Sequence, residues 1–385
     1  MYYSMEEAII QPETLADQTD GQGGGKPEKS GGSKRKIFWQ FLFAAVNIAV
    51  VVIIATVDFG GGAVTAPFRG VQKLIGQNWP FFAAALLLPL ASIALDVLKY
   101  TVMIKSATKR AMPWTAYKVS QIGRYYDNIT PFGAGSQPFA AHYLTRKKIE
   151  SGQALAIVVT TFILQQLGFL LLGPFFLVKY SVSNMGDRLY RLFVILGWLG
   201  YAAYMLVPLL LVLMTVKPSI AASIADFFIK LLAKMKIVKK PDKLSARVRV
   251  SLDKYRRTAA YLVKNTAAAL AVLAVSIIQA AIFFGIPYFA CRVLGATAAD
   301  TADLFSRIVI IYFAITLAPT PGNSIAAEFS FWAVFLAMLG GFAFWGMLIW
   351  RLTVFYLYLA QGLVIIVSRA INNSRRRAAD NGLPK

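Results

Sequence analysis

The chain has 385 residues, of which 57% are hydrophobic, 13% aromatic and 15% charged, with a formal net charge of +22. One cysteine, Cys291, excludes an intrachain disulfide. One histidine, His142, leaves no His/Cys cluster for a metal and removes the usual bases of Cys–His nucleophilic chemistry. The basic residues gather in particular loops and tails, a pattern of membrane topology rather than of nucleic-acid binding.

Several apolar runs reach the roughly 20 residues a helix needs to cross a hydrocarbon core of about 30 Å. Outer-membrane-type barrels would show alternating segments of about ten residues instead. The expectation is an all-α polytopic membrane protein of about eight transmembrane segments.

Residues 1–36 are polar and Gly-rich and end in Lys34-Arg35-Lys36, which reads as a disordered cytoplasmic tail. Apolar runs follow at about 37–57, 80–104, 153–178, 191–215 and 266–290. The stretch 217–264 is a long polar connection. Within it Ile220, Ile224, Phe227, Leu231 and Met235 recur at helical spacing among lysines, which suggests an amphipathic helix on the cytoplasmic membrane surface. The last apolar segments, 304–318, 325–339 and 342–367, begin with two that are short for full crossings and could form a re-entrant hairpin. A basic cytoplasmic tail, 369–385, closes the chain. Lys/Arg bias places both termini inside, so the expected location is the plasma membrane.

Two interruptions stand out. The first runs Thr130-Pro131-Phe132-Gly133-Ala134-Gly135-Ser136-Gln137-Pro138, and the second Pro319-Thr320-Pro321-Gly322-Asn323-Ser324. Non-helical backbone at membrane depth persists only where protein covers it or a watery cavity receives it. Paired breaks in the two halves of a chain point to a transport site, and the shared Thr-Pro and nearby Gly suggest an inverted repeat. For the first break, a surface turn between two helices is an equally good reading.

Arg351 lies inside the last apolar run, where a charge costs roughly 2.5–3.5 kcal/mol on insertion scales. It is expected to face the protein interior, paired with Glu328, either as a headgroup-phosphate site or as an ion pair between helices. Asp96 and Lys99 share a helix face near the expected cytoplasmic end of their span, where Lys99 can snorkel to the interface. Arg124 reads first as a positive-inside residue and second as a phosphate ligand. Asp127 and Gln137 add polar side chains at the first break. The aromatic last span (Phe342, Phe344, Trp345, Trp350, Phe355, Tyr356, Tyr358) reads as lipid-facing packing.

The order Asp127…Thr130-Pro131…Gly135…Gln137-Pro138, then Tyr143-Leu144, resembles the transmembrane domain family of lysylphosphatidylglycerol synthases. Pro319-Thr320-Pro321-Gly322…Glu328 and Arg351-Leu352-Thr353…Tyr356…Gly362 are similar to its second signature. The resemblance covers roughly residues 37–368. The chain departs from the family pattern at Gly135-Ser136 and Asn323-Ser324, where glycine is more usual. The resemblance implies a lipid flippase or scramblase, a stand-alone member without the soluble synthase domain. It further implies that Arg351, Glu328 and the two breaks line a headgroup path, with Arg124, Asp127, Gln137 and Lys99 as further lipid-binding candidates.

The expected partners are membrane lipids, anionic or aminoacylated, together with a separate lipid synthase. No cofactor, metal, catalytic residue or nucleic acid is expected. A secondary transporter, with Asp96 or Glu328 carrying a coupling proton, shares the same features. Two further alternatives are a membrane subunit of a lipid-modifying enzyme and an integral-membrane enzyme acting on polyisoprenyl lipids or phospholipids.

Overall fold

The computed structural model describes residues 68–130, 133, 135–183, 188–217, 219, 223, 227, 229, 241–296 and 301–380. The tail 1–36, the run 37–57 and most of the expected surface helix at 220–235 lie outside the described residues. Among the described residues the fold is all-helical, with no strand. In chain order the α-helices are α1 (Phe68–Gln77), α2 (Trp79–Thr108), α3 (Pro113–Ile129), α4 (Ser136–Thr145), α5 (Ser151–Ser183) and α6 (Arg188–Val216). They continue with α7 (Pro241–Lys264), α8 (Thr266–Val293), α9 (Thr301–Ile315), α10 (Ala326–Leu339), α11 (Ala343–Arg351) and α12 (Leu357–Asp380). A 3₁₀ turn (Gly340–Phe342) joins α10 to α11, and a π turn (Leu352–Tyr356) joins α11 to α12.

Among the described residues, five stretches are long and apolar enough to cross a membrane: Trp79–Thr108, Ser151–Val182, Arg188–Leu213, Thr266–Val293 and Ala326–Ser368. The 15-residue α9 and 14-residue α10 flank the second break and are short, as their sequences imply. Local signals set the helix ends. Pro80 and Pro113 occupy first-turn positions, where a missing N–H costs nothing. Asn265 caps α8, and its side-chain amide donates to Ser106 Oγ at 2.9 Å, tying the start of α8 to the end of α2. Exposed leucines, isoleucines and valines along α6 (Leu192, Ile195, Leu199, Leu206, Leu209) form the kind of apolar outer face that lipid solvates.

Two apolar cores fill the interior. One gathers Phe169, Phe284, Phe313, Phe331, Phe335 and Trp350 from α5 and α8–α11. The other gathers Met103, Val119, Leu144, Ile157, Tyr255 and Leu262 from α2–α5 and α7. The helices that pass through both cores change character between them. On α2, Leu88 packs on the first core and Val102 on the second; on α8, Phe284 and Val272 do the same; on α5, Phe169 and Ile163. The residues in between are polar and buried: Ser92, Asp96 and Lys99, then Ser276 and Gln279, then Gln166. A polar seam therefore crosses the bundle where the two cores meet.

Candidate functional site

The seam holds a closed ionic network. Lys99 Nζ, from α2, meets Asp96 Oδ1 at 3.1 Å, Gln165 Oε1 at 2.7 Å and Gln279 Oε1 at 2.5 Å. An ammonium has three N–H donors, and all three are used. Asp96 Oδ2 accepts from Arg124 Nε at 2.6 Å, so both carboxylate oxygens are occupied. Gln279 Nε2 donates to the Ser92 carbonyl and hydroxyl at 2.9 and 3.1 Å. Lys99 is fully buried, so the snorkelling expected from its place near a helix end is corrected. Three acceptors from three helices replace the water it would otherwise seek. Arg124 is likewise drawn inward: its guanidinium lies 4.7 Å from the centre of the Tyr358 ring on α12.

The first break is closed by its own side chains. Thr130 Oγ1 donates to the Tyr126 carbonyl at 2.7 Å, and the Ser136 amide donates to Asp127 Oδ1 at 2.8 Å across the gap. Asp127 thus meets the start of α4, where a carboxylate is favoured. Gly133 has φ +61°, and a Cβ on Gly135 would lie 2.7 Å from the Tyr126 carbonyl. Gln137 is half-buried and Pro138 exposed on α4; Pro131 lies outside the described residues.

The second break is built around Arg351, at the C-terminal end of α11. Its Nε and Nη2 both donate to Glu328 Oε1, at 2.7 and 2.6 Å. Nη2 also reaches Ser324 Oγ at 3.1 Å, and Nη1 the Gly322 carbonyl at 3.5 Å. The side chains of Arg351 and Glu328 are 6% and 2% exposed, which realises the expected intramembrane pair. The backbone here is unusual: Gly322, Asn323 and Ile325 all have positive φ, and Ile325, β-branched at φ +73°, is an outlier costing on the order of 1–3 kcal/mol. Thr320 Oγ1 donates to the Ser324 carbonyl at 2.8 Å and holds the turn. Pro319 is exposed and Pro321 half-buried.

Satisfaction is incomplete at this break. Glu328 Oε2 and Asn323 Oδ1 are buried without a hydrogen-bond donor, and the indole N–H groups of Trp332 and Trp350 are buried without an acceptor. Buried polar atoms are normally paired, and such orphans mark a place where a ligand or solvent belongs.

The two breaks touch. A Cβ on Gly322 would lie 2.9 Å from the Asn128 carbonyl and would strike the Phe355 ring. Asn128 Nδ2 reaches the Phe355 carbonyl at 3.5 Å, where the π turn disturbs the helical ladder. Phe355 also underlies Arg351, 4.4 Å from ring centre to guanidinium carbon. The last helix therefore seats Arg351 on Phe355 and Arg124 on Tyr358, three residues apart. This corrects the expectation of lipid-facing aromatics at Phe344, Trp350, Phe355 and Tyr358, which are buried; Phe342, Trp345 and Tyr356 are half-buried. Gln165, Gln279, Ser92 and the Phe355–Tyr358 pair were not anticipated as site residues. The available signal was glutamine inside otherwise apolar spans.

Fold and site together define a polytopic α-helical membrane protein with two helix breaks converging on a buried arginine. The chain belongs to the family described as the lysylphosphatidylglycerol synthase TM region, whose model matches residues 37–362. No curated protein and no solved structure matches it. Membership in this family links the protein to lipid handling.

Proposed function

We propose that this protein moves phospholipids between leaflets, as a flippase or scramblase, with the second break as the seat of the headgroup phosphate. The carrying observation is the half-satisfied Arg351–Glu328 pair at the meeting point of the two breaks and the π turn. A guanidinium presents a planar fork that matches phosphate oxygens, and a ring beneath it keeps it in place. The unpaired indole N–H of Trp350 adds a neutral donor for the remaining headgroup oxygens. Arg124, seated on Tyr358 roughly one turn along the same helix and committed to Asp96, braces the wall of the path. The acyl tails stay in the bilayer while the headgroup follows this aromatic ladder.

In this reading the protein sits in the plasma membrane with both termini cytoplasmic. It is not itself an enzyme, and it handles anionic or aminoacylated lipids made by a separate synthase.

The test is translocation in liposomes that carry headgroup-labelled phosphatidylglycerol in both leaflets. With active protein, a membrane-impermeant reductant removes the label from both leaflets. Label in the inner leaflet that stays protected at every protein density would refute the reading for that lipid. The Arg351→Gln variant is expected to slow the loss of inner label.

A further inference from the structure

The chemistry of the second break carries a further step, which rests on reading that break as a headgroup seat. We infer that Glu328 is a resident counter-anion: it yields its place on Arg351 to a phosphodiester and takes up one proton as it leaves.

The argument begins with charge. Arg351 and Glu328 form a neutral pair, buried on both sides. Adding a phosphodiester anion to that pair would leave one uncompensated negative charge in a low-dielectric interior, a state that buried sites avoid. The charges facing Glu328 leave one way to restore neutrality. From α11 it faces Arg351, already counted. From the π turn it is within electrostatic reach of Tyr356, a neutral phenol. On α9, packed against α10, Arg307 is committed to Asp303 and Tyr190. On α3, Arg124 is committed to Asp96, and Asp127 accepts from the Ser136 amide. No spare cation is supplied by these neighbours, so a proton is the smallest available compensation.

The geometry says where the proton goes. Both donors from Arg351 converge on Oε1, and Oε2 has no donor. A proton on Oε2 turns an orphaned acceptor into a donor. The same break holds a second orphaned acceptor, Asn323 Oδ1, three residues before α10 begins. The exchange balances. The arginine–carboxylate contact breaks and an arginine–phosphodiester contact forms. The carboxylate binds one proton from the adjoining aqueous phase, and release of the phosphodiester reverses each step. Net charge at the site is unchanged, so an anionic headgroup crosses with a proton and responds to a pH gradient rather than to membrane potential.

The experiment uses the purified full chain in detergent. Calorimetric titrations with dihexanoylphosphatidylglycerol and with dimethyl phosphate are run in two buffers of different ionisation heat. The expected result is uptake of about one proton per probe bound, with Kd weakening as pH rises, by up to about tenfold per pH unit. Glu328→Gln is expected to bind without proton uptake and with a flat pH profile. If that variant fails to fold, the slope of the wild-type protein decides alone. Uptake with the lipid probe only identifies a membrane-borne phosphodiester, and uptake with both admits a soluble one; either supports the exchange. Binding without proton uptake, or undiminished uptake by Glu328→Gln, overturns the exchange and leaves the headgroup seat standing. No binding of either probe overturns the seat and the exchange together.

Discussion

The Asp96–Lys99–Arg124 network and the Arg351–Glu328 pair are both buried, ionic and seated against aromatic rings of the last helix, and they differ in completeness. In the first, every ammonium donor and both carboxylate oxygens are engaged by side chains from α2, α3, α5 and α8, and the orphan beside it is a neutral one, the Tyr358 hydroxyl. In the second, one carboxylate oxygen, one amide oxygen and two indole donors are buried and unpaired, on a backbone with three positive φ angles in four residues. A fully satisfied polar network specifies and stiffens a core, whereas a partly satisfied one is high in energy until something completes it. The same charged chemistry therefore serves as a brace in one place and as a receptor in the other.

The largest test of that contrast removes Asp96. Asp96→Ala leaves Lys99 and Arg124 buried without a counter-charge, and about 3–5 kcal/mol of stability should be lost, read as a lowered Tm or failure to purify as a monodisperse species. The second test compares charge-neutral double variants. Arg351→Gln with Glu328→Gln removes a pair whose charges cancel. It should unfold within roughly 1–2 kcal/mol of the parent while phosphodiester binding drops by about 10–100-fold. Asp96→Asn with Arg124→Gln strands Lys99 and should stay destabilised, so equal stability of the two doubles would erase the distinction.

A smaller effect is expected from Gly322→Ala. The added Cβ meets the Asn128 carbonyl at 2.9 Å at a φ of +59°, which should cost on the order of 1–3 kcal/mol and slow translocation by separating the breaks. The smallest effects come from the ring seats. Phe355→Leu and Tyr358→Leu each remove a cation–π contact worth about 0.5–2 kcal/mol. Phe355→Leu should weaken phosphodiester affinity, and Tyr358→Leu should mainly lower Tm. Reversal of that assignment would show that the brace and the receptor have been interchanged.

Much of this was legible in the chain itself. The spans at 80–104, 153–178, 191–215 and 266–290 are the interiors of α2, α5, α6 and α8, because runs of that length have no other use. The pairing of Arg351 with Glu328 followed from the cost of a lone charge at depth. What could not be read was partnership. Gln165 and Gln279 stand 66 and 180 residues from Lys99, and a glutamine in an apolar run announces a need for a partner without naming one. Lys99 was misjudged for that reason: a flexible stem near a helix end reaches water unless acceptors are waiting inside. The π turn was equally silent, since Leu352-Thr353-Val354-Phe355-Tyr356 contains neither Pro nor Gly.

That turn sets the phase of everything after it. A π turn holds one residue more than an α turn does, so α12 enters out of step with α11. Each residue of an α-helix accounts for about 100° of rotation. Resetting Leu352–Tyr356 to α geometry would therefore swing Tyr358 away from the Arg124 guanidinium, while Phe355, four residues on from Arg351, would stay on the same face as Arg351. The last helix is in that sense an indexed shaft, on which one discrete setting turns the Tyr358 ring onto Arg124.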